Sequence, residues 1–303
     1  MSRLAGILIL LSVSALWLAA CSRPQPQSDI VDLVFGASPL WDDGQAEVAF
    51  YRLHRTRNQY GEAEEQEVLV GTYLVKHDYD PVREAKARSD ASRRVETFKY
   101  ALFYEMDSGS YQFKRNYVVN ARRSDLRPMK ASFTSFDWCS NQYREIAISP
   151  RGEARFLMRS DDYGNAEQTF DYSAGSYPPS ELPLIVRAIS LDDGGEAHFR
   201  VLLENGETVA AEARLIGSEA VSTAAGDFEA RRIEVRYDRP VPSVIAEESD
   251  SLETYWIAFN EERMLLRIAG ASGRYEMELV EHLRSPYWDE DIYDRLERIR
   301  ERP

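Results

Sequence analysis

Cysteine is almost missing from this chain of 303 residues: Cys21 and Cys139 are the two. That count excludes a disulfide framework and a zinc site built on paired thiolates. Histidine is nearly as scarce. His54, His77, His198 and His282 form no H-x-H or H-x-x-x-H pair, so no metal site is expected. There is no G-x-S-x-G elbow, no phosphate-cradling glycine loop and no Walker lysine, and no cofactor is implied. Positive charge is also in deficit, with 37 Lys and Arg against 51 Asp and Glu and a net charge of −14. A surface of that sign repels nucleic-acid phosphate and anionic headgroups, so neither is an expected ligand.

The acidic pairs Asp161/Asp162 and Asp192/Asp193 fall in turn-like segments, where Asp hydrogen-bonds nearby backbone N–H groups. They are assigned to turns. No catalytic residue is assigned, and the chain reads as a non-enzyme. A hydrolase built from carboxylates far apart in sequence leaves no motif and stays as the catalytic alternative.

A long apolar run occurs at the very start, Leu4 to Leu18, preceded by Arg3 and closed by Leu18-Ala19-Ala20-Cys21. A basic start, an apolar middle and small residues before the cleavage point make a secretory signal. The run is at the short end for a membrane span, which needs about 20 residues. Leu-Ala-Ala-Cys resembles the lipobox of bacterial lipoproteins, whose cysteine thiol receives a diacylglycerol. The resemblance implies a signal peptide over 1–20, lipidation at Cys21, and a membrane held through the N-terminal lipid. Ser22 after the cysteine implies the outer membrane, facing the periplasm. Residues 21–45, opening on Ser22-Arg23-Pro24-Gln25-Pro26-Gln27, read as tether and linker. With Cys21 lipidated, Cys139 has no partner. Its setting, Phe136-Asp137-Trp138-Cys139, predicts a buried thiol acting as a small hydrophobe.

From Ala46 onward the pattern is mainly β. Ala46 to Leu53, Glu67 to Val75, Thr97 to Met106 and Tyr111 to Asn120 are rich in strand formers, the last two flanking Asp107-Ser108-Gly109-Ser110 as a hairpin. About a dozen short strands with tight turns predict a curved antiparallel sheet or partly open β-barrel. Leu182 to Leu191 satisfies neither the helical nor the strand period. Trp288 to Arg300, with Ile292, Leu296 and Ile299 four and three apart, predicts a C-terminal amphipathic helix. A Gly, Ser and Pro cluster near Tyr172 to Pro183 divides a β-rich first half, 46–180, from a second, 181–303, unless the two are continuous. Tyrosine is frequent, with 17 copies. Tyr100, Phe103, Tyr104, Tyr111, Phe113 and Tyr117 are core by default, although such a stripe can also line a site for an acyl chain.

Two segments resemble an uncharacterised family of bacterial lipoproteins. Ser135-Phe136-Asp137-Trp138-Cys139-Ser140-Asn141-Gln142-Tyr143 is similar to its Trp-Cys-Gly-centred segment, with Ser140 in place of the usual Gly. Trp41-Asp42-Asp43-Gly44-Gln45-Ala46-Glu47 and Arg57-Asn58-Gln59-Tyr60-Gly61-Glu62 are similar to its N-terminal pattern. In the second half, Val221 to Ala230, with Thr223, Gly226 and Phe228, resembles a β-rich exported domain of unknown function. Its Gly turn is expected to feed Phe228 and Ile233 into the core. These resemblances imply an address and a fold, and no activity. The function expected is that of a lipid-anchored periplasmic protein binding an apolar ligand or an envelope component. The second hypothesis is an assembly factor docking an envelope protein.

Overall fold

The computed structural model describes residues 30–59, 62–107, 112–191, 195–246, 248–289 and 291–300. The signal segment and Cys21 lie outside them, as do Asp192 and Asp193 and the tip of the hairpin expected at 107–110. After a short helix α1 (Leu33–Ala37) and a 3-10 turn (Pro39–Asp42) come β1 (Ala46–Gln59), β2 (Glu62–Asp80), β3 (Ala85–Lys86), β4 (Val95–Asp107) and β5 (Gln112–Arg122). The series continues with β6 (Pro128–Phe136), β7 (Asn141–Ile148), β8 (Glu153–Ser160) and β9 (Ala166–Asp171). Then follow β10 (Ser176–Tyr177), a 3-10 turn (Pro179–Glu181), α2 (Leu182–Ala188) and β11 (Glu196–Leu202). The last elements are β12 (Thr208–Thr223), β13 (Gly226–Pro242), β14 (Ser249–Ala258), β15 (Leu265–Gly270), β16 (Tyr275–Ser285) and α3 (Ile292–Arg300).

All sixteen strands belong to one sheet, antiparallel throughout except where β10 pairs with β11. The chain enters the sheet in its middle. β1 pairs with β2 on one side and β16 on the other. From β2 the chain winds outward to the edge strand β9, with β3 paired beside β2. It reappears at the opposite edge as β10 and winds back to β16. Only residues 172–175 separate β9 from β10, and a stretch that short spans at most about 18 Å. Laid flat, the strands between those edges would occupy roughly 65–70 Å. The edges must therefore lie together.

Side chains show how they meet. Gln168 Nε2 donates to the Glu204 carbonyl at 2.7 Å, and Arg144 Nη1 lies 2.9 Å from Glu204 Oε2. Leu202 packs among Ile146, Ile148 and Phe156 from the other edge. Among the described residues no strand ladder crosses this seam, so the sheet is open along its hydrogen bonds. The Gly, Ser and Pro cluster at Tyr172 to Pro183 is where the chain steps across it.

The hollow is filled. Segment 182–191 resolves into helix α2 followed by an isolated bridge from Ile189 to Val31, and every residue of α2 is buried. A helix buried on all sides belongs inside a core, and it packs with α1 and the inner face of the sheet. Tyr100 and Tyr104 join that core, Ile233 is fully buried, and Phe228 is half-buried against it. Arg187 is the one charged residue of α2. Its Nη2 donates to Glu47 Oε2 at 2.5 Å and to the Glu262 carbonyl at 2.7 Å, while Nε donates to the Arg263 carbonyl at 2.8 Å. Burial alone would lower the guanidinium pKa, but Glu47 outweighs it and holds the group above its ordinary value.

Cys139 corrects the sequence reading: it is exposed. The turn from β6 to β7 is organised by Asp137, whose Oδ1 accepts from Cys139 N at 2.6 Å and Ser140 N at 2.8 Å. Asp137 therefore turns inward, and Trp138 and Cys139 are left at the tip, with Trp138 83% exposed. An aqueous thiol reagent should modify Cys139 in the native Cys21→Ser chain as fast as in the unfolded chain. Protection of a hundredfold or more would contradict this placement.

Candidate functional site: an aromatic groove beside the C-terminal helix

The middle of β2, residues 68–75, is apolar on both faces, and both are covered. Val68, Val70 and Leu74 enter the inner core, while Leu69, Tyr73 and Val75 face outward. On that outer face, β1 supplies Val48 and Phe50 and β16 supplies Val280 and Leu283. Helix α3 lies against this patch through Ile292, Leu296 and the fully buried Ile299. The helix is shorter than the Trp288 to Arg300 expected, because Trp288 and Tyr287 precede it as an aromatic bracket. Tyr287 stacks on Tyr73 with ring centroids 4.8 Å apart, and Trp288 meets Tyr287 edge-on at 5.3 Å. Burial raises the pKa of both phenols. At the helix start, Asp291 Oδ1 accepts from Asp294 N at 3.0 Å, satisfying an otherwise unpaired N–H.

Between α3 and the outer face of β4 to β6 lies a groove of about 1050 Å³, the size of a small-molecule site. Its apolar lining includes Tyr73, Phe103, Phe136, Trp288, Ile292 and Leu296. Phe136 and Trp288 remain 53% and 55% exposed, and two large rings left open on one depression are an unusual use of apolar surface. Gly71 explains how Phe103 lies there. A Cβ on Gly71 would come within 2.3 Å of the Phe103 ring, so the ring rests on bare backbone. Glu105, Lys114 and Arg300 form a charged rim, with Lys114 Nζ 2.7 Å from Glu105 Oε1.

A second depression of about 570 Å³ continues from the first, and Tyr287 and Trp288 belong to both. Strand register builds it. Val75 faces Lys99, Lys99 faces Asn120 and Asn120 faces Lys130, so Lys99, Asn120 and Lys130 stand in one row across β4, β5 and β6. Lys86 joins from β3 opposite Tyr79. His77 Nε2 is 2.9 Å from Asn120 Oδ1. Burial lowers the imidazole pKa, and Lys99 and Lys86 push it the same way.

Elsewhere, buried carboxylates are tied to structural partners, with the exception of Glu181, whose two oxygens have no hydrogen-bond partner. Glu253 accepts hydroxyls from Tyr237, Tyr255 and Tyr275 at 2.7, 2.6 and 2.7 Å, and burial raises the pKa of all three phenols. Asp161 accepts from Asn141 N at 2.9 Å, a backbone-binding role of the kind expected for a turn residue. Glu196, His198 and Glu212 come together across β11 and β12, a cluster with no sequence motif because the ladder assembles it. Arg214 Nη2 sits 2.5 Å from Glu196 and 3.1 Å from Glu212, supplying the positive charge there.

Of the aromatics singled out in sequence, Phe103 reaches the groove, Tyr104 is buried in the inner core beside it, and Tyr117 packs on Phe133 at 4.7 Å. Tyr111 lies outside the described residues. Tyr73, Phe136, Tyr287 and Trp288 were not singled out as lining. The two-sided apolar character of 67–75 carried the signal, since a strand apolar on both faces needs a second cover.

The fold and groove define a single-sheet β protein with an external aromatic cleft. No family model and no curated protein matches the chain. Among solved structures it is similar to a β-barrel-like protein of the domain of unknown function DUF1849 from Brucella abortus. The TM-score is 0.45 at 9% identity, covering 80% of this chain and 98% of that one. It is also similar to an exported protein of YmcC-like fold from Bacteroides fragilis, with a TM-score of 0.24 at 8% identity, covering 78% and 95%. Likenesses this distant carry no role to this chain.

Proposed function

We propose that this chain is a non-catalytic, lipid-anchored protein of the bacterial envelope, outer-membrane-bound and facing the periplasm, that binds an apolar ligand in the groove beside α3. The observation that carries the reading is the exposure of Phe136 and Trp288 on one depression floored by Tyr73 and Phe103. The inner hollow of the sheet, filled by α2, is not the site in this reading. Leu18-Ala19-Ala20-Cys21 supports the address, and replacing Cys21 by Ser should release the protein from membranes. The commitment of Glu47, Glu145 and Glu253 to Arg, Lys and Tyr partners supports a binding role over hydrolysis.

A Cys21→Ser chain without its signal segment should bind a dansyl-labelled fatty acid saturably at one site. Phe103→Asp, which places a charge in the groove, should weaken that binding about tenfold or more. Dye that neither brightens nor saturates would overturn the reading.

A further inference from the structure

We propose that the lysine-lined depression is the headgroup subsite of the groove, so that the occupant is an anionic amphiphile. Its acyl chain would lie along Phe103, Phe136 and Leu296, with its charged head at Lys86 and Lys99. The inference rests on the groove being an apolar-ligand site, and it adds the chemical class of the ligand.

Three observations converge on it. First, Lys86 and Lys99 have no carboxylate within ion-pair distance among the described residues. That is notable in a chain of net charge −14, whose surface as a whole disfavours anions. The acid that lines this depression is already engaged, since Glu84 Oε2 lies 2.5 Å from Arg155 Nη2, and Lys130 of the lining is paired with Glu145, whose Oε2 lies 2.5 Å from its Nζ. The Lys99 ammonium has the Tyr73 ring at 5.3 Å as its contact, which leaves its hydrogen-bonding directions for a ligand.

Second, the lining changes character along the strands. The row holding Gly71 and Phe103 is aromatic, and the row holding Val75 and Lys99 is basic. Four residues separate them, about 13 Å at strand rise. That is an acyl-chain scale. Third, Trp288 lines both depressions, and an indole suits a boundary between apolar and polar surroundings. A carboxylate or phosphate head would form charge-assisted hydrogen bonds with the two ammonium groups. Burial lowers the His77 pKa and the positive charge of Lys99 and Lys86 adds to the lowering, and a bound anion would offset the lysines' part.

The test compares oleate with monoolein, a neutral lipid carrying the same chain, on the Cys21→Ser protein and on its Lys86→Ala/Lys99→Ala variant. The variant should bind oleate at least about tenfold more weakly, as expected for lost charge-assisted bonds. Its monoolein affinity should stay within about twofold, and Lys86→Arg/Lys99→Arg should restore oleate binding. An unchanged thermal midpoint in all variants separates binding from folding. Equal losses for both lipids, or no loss for oleate, would overturn the headgroup subsite and leave the groove reading standing. Failure of both lipids to bind the parent chain would overturn the two together.

Discussion

Replacing Arg187 by Ala should lower the stability of the fold by about 3–5 kcal/mol, the cost of stranding one member of a buried ion pair. Arg187 is 2% exposed and Glu47 3%, so Glu47 would be left without its partner and with water excluded. The carbonyls of Glu262 and Arg263 would lose their donors as well. Because those carbonyls lie between β14 and β15, the damage should spread from α2 to the opposite wall of the hollow. Arg187→Met combined with Glu47→Gln should recover much of the loss, since exchanging a buried pair for less polar residues of similar size is often close to neutral. Chemical denaturation of the three chains measures this. A loss under 1 kcal/mol in Arg187→Ala would show that α2 is not anchored through this pair.

Glu181 makes the second large effect, and it depends on pH. Its side chain is fully buried, and neither carboxylate oxygen has a hydrogen-bond partner. Burial raises its pKa well above the ordinary value, and the negative charge of Asp125 adds to the shift. The folded chain therefore keeps a proton that the unfolded chain releases near pH 4.3. Stability from this residue is fully present below that pH. It is lost by about 1.4 kcal/mol per pH unit as the pH rises toward the folded pKa. Glu181→Gln cannot ionise. Its stability measured between pH 5 and 8 should fall less steeply than that of the parent, by that slope. Parallel curves would mean that Glu181 finds a partner or solvent in the folded state.

The β nature of the fold was legible because strands announce themselves locally. Ala46 to Leu53 and Thr97 to Met106 carry strand-forming side chains wherever they pair, and both lie within observed strands. The turn at Ala225-Gly226 was readable for the same reason, since Gly226 takes φ +135°. The order of strands was not. Beginning in mid-sheet and stepping across the seam at 172–175 is decided by non-local pairing, which no window of sequence contains. The α2 segment was ambiguous because a helix buried on every side has no polar face to set a period.

Site legibility followed the same division. Ile292, Leu296 and Ile299 were periodic enough to predict an apolar stripe on the C-terminal helix. What that stripe covers depends on which strands lie beneath it. Lys99, Asn120 and Lys130 come from three strands and meet through register alone, so nothing in their spacing unites them. Cys139 was misread for a physical reason. Its aromatic neighbours resembled a core, but Asp137 bends the chain into a turn and puts Trp138 outside.

Contact between a lipid chain and Trp288 tests the central claim most directly. Bromine on an acyl chain quenches indole emission at short range, and Trp288 borders the groove while Trp41 is buried in the core. Titrating the Cys21→Ser chain with a dibrominated stearate should quench part of the tryptophan emission saturably, and Trp288→Phe should abolish that part. Quenching that persists undiminished in Trp288→Phe, or none in the parent, would contradict ligand binding beside α3.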